Sequence, residues 1–294
     1  MFRTLAILFI GTLLFSFSAC QQTEKEKSVP GVMVSIAPQQ YFASYLLGDA
    51  VPVYVMVPPG TPPETFEPAP SDIARLENAL AYVRIGHIGF ELGWMDRIQE
   101  LYPQLLIIDA SEGISLLSGD CTEHDHGDHH HGHGTDPHIW TSPQRAQWIA
   151  ENTWKGLKNR FPEMSDSLDA RHQRLQADIL ALDDSLRLIL HDSANRSFAI
   201  FHPALAYLAE DYGLDQIAIE KEGKEPSPAQ MKLVMDQIKE KNIRLILVQK
   251  EFSREQAEGI AKASGIRIEV IDPLSPEWPA SVLRTARLIA GGGD

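Results

Sequence analysis

The chain has 294 residues, enough for two domains that each bury a core of ordinary size. It carries 40 aspartates and glutamates against 26 lysines and arginines, and the formal net charge of −14 argues against a nucleic-acid partner and is compatible with a cationic ligand. Only two cysteines are present, which excludes a disulfide-rich scaffold and any metal site built from four thiolates.

The N-terminal segment has the pattern of an export signal. Arg3 precedes an apolar and small-residue stretch over residues 4–17, and two small residues then lead into Cys20. This order is typical of a secretory signal, and the apolar stretch is too short to favour a membrane-spanning helix. A cysteine directly after the small residues also resembles the lipobox of bacterial lipoproteins, in which the new N-terminal cysteine receives lipid.

We therefore expect residues 1–19 to be a signal peptide and residues 20–30 to be a lipidated N-terminus with a polar spacer. The mature protein is then exported to the periplasm or cell envelope and anchored to a membrane only through Cys20. In the alternative interpretation, Cys20 is an ordinary thiol able to pair with Cys121.

From residue 31 onward, short β-branched runs alternate with amphipathic stretches. Buried strands are predicted at residues 32–36, 52–57, 81–85 and 105–109, and helices at 40–47, 71–80 and 90–101. This alternation is the β-α-β order of a parallel sheet with helices on its faces.

Two helices are predicted to follow. Ser142 and Pro143 supply an N-cap and a first-turn proline for a helix that ends near residue 159. A longer helix spans about 165–191, with one apolar stripe made by Leu168, Leu175, Ile179, Leu182, Leu186 and either Ile189 or Leu190. Proline and glycine are absent from residues 165–197, so we expect a rigid element. The alternative is a surface helix packed on one domain.

The strand and helix alternation resumes after residue 195. Strands are predicted at 197–201, 216–220, 243–249 and 266–271, and helices at 203–212, 228–241, 254–264 and 279–290. The expected fold is α/β, with two lobes of parallel sheet flanked by helices: an N-terminal lobe over 31–141, a helical segment over 142–194 and a C-terminal lobe over 195–294. In such sheets, ligands bind beyond the carboxyl ends of the strands.

A low-complexity segment at residues 118–135 carries the densest chemical signal. It interleaves aspartate and glycine with six histidines, His124, His126, His129, His130, His131 and His133. Neutral imidazoles are ligands for zinc, copper or nickel, and the glycines disfavour regular structure. We expect weak, multivalent metal capture without fixed geometry; the alternative is a solvated polar loop.

Further candidate ligands stand near predicted strand ends. His202 and Asp272 each follow a strand directly, and Glu64 lies in the proline-rich run after the second strand. His138 stands where the chain returns to order after the histidine-rich segment. Each half therefore offers nitrogen or oxygen ligands at the mouth of its sheet.

Five segments together resemble the metal-binding lipoproteins of zinc and manganese ABC importers, the ZnuA-like and TroA-like solute-binding proteins. They are GTPPETFEPAPSD at 60–72, DPHIWTSP at 136–143, HPALAYLAEDYGL at 202–214, EPSP at 225–228 and IDPL at 271–274. The resemblance covers nearly the whole mature chain. It implies two α/β lobes bridged by a long rigid backbone helix, with one metal ion in the cleft.

The resemblance also implies the ligand set, with one departure. Glu64 stands where the family pattern has its first histidine, so the implied ligands are Glu64, His138, His202 and Asp272. Two nitrogens and two carboxylates suit tetrahedral Zn²⁺, and the added oxygen character makes Mn²⁺ or Fe²⁺ more credible than in a three-histidine site. His87, after another predicted strand, is an alternative to Glu64.

The expected function is that of a monomeric receptor, not an enzyme, that captures zinc outside the cytoplasm and delivers it to an ABC permease. One alternative is an envelope metal store or adhesin. Another is a zinc metallohydrolase with Glu67 as base, but the sequence has no H-E-x-x-H motif, nucleophile elbow or phosphate loop to support it.

Overall fold

A computed structural model describes residues 29–119, 134–191, 193, 196–220 and 226–291. The predicted signal peptide, both cysteines and the six histidines of the histidine-rich segment lie outside the described residues.

The first half of the chain forms one parallel sheet with the strand order β2-β1-β3-β4. Its strands are β1 (Gly31–Val34), β2 (Val53–Val55), β3 (Ala79–Arg84) and β4 (Ile107–Asp109), and its helices are α1 (Ala37–Leu47), α2 (Pro70–Ala74) and α3 (Gly89–Leu101). All four residues of β1 are buried, as expected for an inner strand covered on both faces.

The second half repeats this arrangement with the strand order β6-β5-β7-β8. Its strands are β5 (Ser197–Ile200), β6 (Asp215–Ala218), β7 (Leu245–Gln249) and β8 (Arg267–Ile271), and its helices are α6 (Ala206–Tyr212), α7 (Pro228–Glu240), α8 (Arg254–Ser264) and α9 (Trp278–Ile289). Gly213 and Gly265 end α6 and α8 in the left-handed conformation that glycine adopts without strain.

Two long helices join the halves. In α4 (Pro143–Arg160), the Ser142 hydroxyl accepts a hydrogen bond from the Gln144 N–H and so caps the first turn. The longer helix, α5 (Ser165–His191), packs against α1 of the first half and α9 of the second. It buries the predicted apolar stripe and uses Leu190 rather than Ile189 to complete it.

Several element boundaries differ from the sequence predictions. The helix predicted at 71–80 ends at Ala74, and a 3₁₀ turn (Arg75–Asn78) leads into β3 because Ala79 already pairs with Gly31 of β1. The helix predicted to begin at Pro203 begins at Ala206 instead, since residues 204 and 205 form a turn before it.

The predicted fold class is confirmed: two parallel four-stranded sheets are flanked by helices and a long helix connects the halves. Within the part of the chain that the structure describes, no helix has the length and apolar character needed to cross a bilayer. In both sheets the strand order reverses at an inner pair, β1 with β3 and β5 with β7, and this reversal opens a crevice at the carboxyl ends of those strands.

Candidate metal centre

Three predicted ligands, from loops of both halves, converge. The Nε2 atom of His138 is 3.2 Å from Oε1 of Glu64 and 3.3 Å from Nε2 of His202. The third distance, from His202 Nε2 to Glu64 Oε1, is 3.8 Å. Two imidazole nitrogens and a carboxylate oxygen this close together form a triangle of donors that a single cation could share.

Each donor sits on a differently built segment. His202 follows β5 at the crevice of the second sheet. His138 directly precedes a 3₁₀ turn (Ile139–Thr141), and its carbonyl accepts a hydrogen bond from the Thr141 hydroxyl at 2.8 Å. Glu64 lies between β2 and α2, and the start of α3 packs directly against its backbone.

A buried carboxylate fixes the orientation of His138. Asp136 Oδ1 is 2.8 Å from both the backbone nitrogen and the ring Nδ1 of His138. Since Nδ1 is engaged with a carboxylate, Nε2 is the ring nitrogen left for a metal, as in the carboxylate-histidine-metal arrangements of other sites. The Tyr207 hydroxyl on α6 in turn donates to the Asp136 carbonyl at 2.7 Å.

His202 is held by three side chains of the second half. The Gln249 amide contacts its backbone, accepting from the His202 N–H and donating to the His202 carbonyl. The Phe252 ring stacks on the imidazole with centroids 5.1 Å apart. Glu220 Oε1 is 3.4 Å from Nδ1, so a carboxylate backs this imidazole too.

Charge within the group couples Glu64 to His138. Burial by itself would raise the pKa of the Glu64 carboxyl, but the hydrogen bond and charge of His138, together with His202, lower it. Burial by itself would lower the pKa of His138, but the carboxylates of Asp136 and Glu64 raise it to about 10. The group therefore favours a positive charge at the position where these donors meet.

Asp272, the fourth predicted ligand, is not brought into this triangle. It directly follows β8, and its Oδ2 is 2.5 Å from Lys250 Nζ. His87 lies in the turn before α3 with a positive φ of 63°, and the donor triangle found among the described residues does not include it.

Three residues that position the candidate ligands were not predicted from the sequence. The buried carboxylates of Asp136 and Glu220 contact the rings of His138 and His202, and the buried Tyr207 contacts the backbone of Asp136. Asp136 could have been found from its place two residues before His138. Tyr207 and Glu220 carry no such signal, because their partners are distant in sequence.

The two halves also meet directly beside the site. Trp140, two residues after His138, donates its indole N–H to the Pro273 carbonyl at 2.9 Å. Trp278 donates its own indole N–H to the Trp140 carbonyl at 2.7 Å. The donor triangle thus lies where the first half contacts the second.

Comparison with known proteins agrees with this arrangement. Residues 32–281 match the family described as ZnuA, zinc-uptake complex component A, periplasmic. The chain belongs to this family.

Individual members show the same likeness. The high-affinity zinc uptake system protein ZnuA of Bacillus subtilis (strain 168) is 27% identical over 288 residues, covering 93% of this chain and 90% of its own length. The zinc-binding lipoprotein AdcA of Streptococcus pneumoniae serotype 4 is 26% identical over 279 residues, and the matched part is 92% of this chain but 55% of AdcA. The chain thus spans about half the length of this relative.

A solved structure extends the likeness to the whole fold. The crystal structure of ZnuA superposes with a TM-score of 0.82 at 36% identity, covering 90% of this chain and 99% of that one. The two-sheet architecture is therefore shared with this solved structure over nearly its whole length.

Gly89 offers a test of how Glu64 is positioned. A Cβ at this residue would lie 2.1 Å from the Glu64 carbonyl oxygen, whereas a Cβ at Gly93, on the same helix, would meet nothing within 4 Å. Gly89→Ala should displace Glu64 and weaken zinc binding by roughly 10–100-fold, the range typical of a lost supporting contact. Gly93→Ala should leave affinity unchanged and only favour the helix. Equal affinities of the two variants in a chelator-competition titration would show that Glu64 need not hold this position.

The raised pKa of His138 predicts how many protons are released when zinc binds. With a pKa of about 10, the ring is protonated in the metal-free protein at neutral pH, and Zn²⁺ must displace that proton to reach Nε2. Zinc binding should release about one proton from His138, and affinity should rise with pH by up to about tenfold per unit between pH 6.5 and 8.5. Calorimetry in buffers of different ionisation enthalpy measures both quantities. An affinity independent of pH, with no proton released, would contradict this assignment.

Proposed function

We propose that this protein is a receptor that captures a divalent ion, zinc in the first place, outside the cytoplasm and passes it to an ABC permease. The convergence of Glu64, His138 and His202, with both Nε2 atoms at the shared position, is the observation that carries the proposal. Membership of the zinc-uptake family and the names of its relatives support it.

The donor types favour zinc. Imidazole nitrogen and carboxylate oxygen are ligands that Zn²⁺ accepts in tetrahedral sites, and two nitrogens suit it better than they suit Mn²⁺, which prefers oxygen. The carboxylate of Glu64 gives the donor set more oxygen than a three-histidine site has, so manganese and iron are the competing cargo ions.

The protein acts on the ion by binding and not by catalysis in this proposal. The three donors border a cavity of about 20 Å³, which Trp140, Phe252 and Leu274 also line. Such a space admits an ion or about one water molecule but no organic substrate of ordinary size. A receptor also needs the ion bound reversibly, and protonatable donors such as His138 supply a route for release.

The N-terminal and histidine-rich segments complete the proposal. Cys20 carries the lipid that anchors the monomeric protein to a membrane of the cell envelope. Additional ions bind weakly to His124, His126, His129, His130, His131 and His133, because ligands in a glycine-rich sequence lose more entropy on binding than those of a preformed site. The tight site is therefore expected to function without them.

The ligand assignment is tested by alanine variants. His138→Ala and His202→Ala should each weaken the tight zinc site by orders of magnitude, since a chelate missing one ligand must recruit water in its place. His87→Ala, as the matched histidine removal, should keep wild-type affinity. Chelator-competition titration measures all three, and growth of a deletion strain in zinc-limited medium should be restored by wild type and the His87 variant only. Wild-type affinity in both the His138 and His202 variants would refute the site.

Glu64 sets the ion preference in this account. Glu64→His should shift selectivity toward zinc over manganese, and metal release on acidification should begin at a higher pH, because an imidazole (pKa about 6.5) binds protons sooner than a carboxylate (about 4.3). Glu67→His is the matched control, because Glu67 is exposed and its carboxylate accepts from the Trp94 indole. Unchanged selectivity and acid release in the Glu64 variant would remove Glu64 from the ligand set.

A further inference from the structure

We propose that Glu251 supplies the fourth donor to the bound ion, in the place that the sequence resemblance gives to Asp272. This inference rests on the proposed function, because it concerns the same ion. It assigns a ligand from the segment that follows β7, at the crevice of the second sheet.

The residues on either side of Glu251 contact His202, one of the proposed metal ligands. Gln249 holds the His202 backbone from one side through its amide, and the Phe252 ring stacks on the His202 imidazole from another. Glu251 stands between these two residues and borders the same cavity as Glu64, His138 and His202. Its position therefore depends on contacts that also fix the ligand His202.

Neither Glu251 nor Asp272 is part of the donor triangle, but the order of strands places the segment of Glu251 next to that of His202. β7 is hydrogen-bonded to β5, whose end carries His202, while β8 is the outer strand one position further away. Neighbouring strands lie about 4.8 Å apart, so the end of β8 is roughly 10 Å from the end of β5. Asp272 directly follows β8, and the two residues after it, Pro273 and Leu274, border the cavity.

Asp272 and Glu251 also differ in their charged neighbours. The Asp272 carboxylate already has a cation, the Lys250 ammonium at 2.5 Å, and it is not among the residues bordering the cavity. Glu251 is half-buried near two other acids: burial, followed by the charges of Asp272 and Glu64, raises the pKa of its carboxyl. The charge of Lys250 acts on the pKa in the opposite direction, and a dication in the cavity would add to that effect.

The completed set would contain two imidazoles and two carboxylates. Glu64 and Glu251 together neutralise the charge of a divalent ion, and His138 and His202 supply the nitrogens. Four such donors close the tetrahedral shell that zinc adopts in non-catalytic sites. The donor types equal those that the resemblance implies, but one oxygen comes from a different strand end.

Substitutions at Glu251 separate ligation from charge. In Glu251→Gln the oxygen becomes a weaker neutral donor, and in Glu251→Asp the charge stays while the carboxylate is withdrawn by one methylene. Glu258→Gln removes the same charge from an exposed position on α8 and is the matched control. Asp272→Asn tests the competing assignment. The probes are Zn²⁺ affinity by chelator competition and the visible absorption spectrum of the Co²⁺-loaded protein, which reports the donor set.

Glu251→Gln should weaken zinc binding on the order of 100-fold and Glu251→Asp about tenfold or more, and both should change the Co²⁺ spectrum. Glu258→Gln should match wild type, and Asp272→Asn should lose less affinity than Glu251→Gln and keep the wild-type spectrum. Equal unfolding midpoints of the metal-free variants confirm that each is folded.

Two results would overturn the assignment of Glu251. One is a wild-type spectrum and affinity in both Glu251 variants, and the other is a larger loss with an altered spectrum in Asp272→Asn. Either would leave the proposed function intact as long as the wild-type protein binds one zinc ion tightly. A wild-type protein that binds no zinc would instead refute the proposed function itself.

Discussion

One buried carboxylate fixes His138 at two points, and the donor triangle depends on that contact. Asp136 Oδ1 lies 2.8 Å from both the backbone nitrogen and the ring Nδ1, so the imidazole can neither flip nor tilt without losing a hydrogen bond. Tyr207, from the second half of the chain, holds the Asp136 carbonyl. Helix α6 of the second half thereby helps to position the His138 ring of the first half. The geometry of the site therefore depends on how the two halves pack.

The same contact explains the electrostatics of the site. Each imidazole has a carboxylate at its Nδ1 atom, Asp136 at His138 and Glu220 at His202. Glu64 lies on the other side, at the Nε2 atom of His138. Without a metal ion the positive charge is provided by a proton on His138, whose pKa is raised to about 10. A metal ion bound here would exchange for a proton at a position that already favours a cation, and its binding would depend on pH.

Much of the fold could be predicted from local pattern. The buried run of β1 and the apolar stripe of α5 are visible as uninterrupted or periodic apolar residues, and His202 stands out because it directly follows such a run. The end of α2 could not be found, because the pairing of Ala79 with Gly31 is a contact across the sheet. Local propensity carries no information about such a partner.

The site was only partly visible for the same reason. The motifs named Glu64, His138 and His202, which the structure brings together, and Asp272, which it leaves beside Lys250. In the sequence, Lys250 and Glu251 are two adjacent charged residues after a predicted strand, a pattern that is common at solvent-exposed strand ends. Their relation to the cavity follows from the parallel pairing of β5 with β7, which joins residues almost fifty positions apart in the chain.

Anomalous diffraction at the zinc absorption edge, from crystals of the protein grown with Zn²⁺, tests the central claim most directly. One strong peak is expected between the two halves, with the Nε2 atoms of His138 and His202 and a carboxylate oxygen of Glu64 about 2.0–2.2 Å from the ion. A tightly bound ion held by other side chains, with His138 and His202 still in contact with each other, would contradict it.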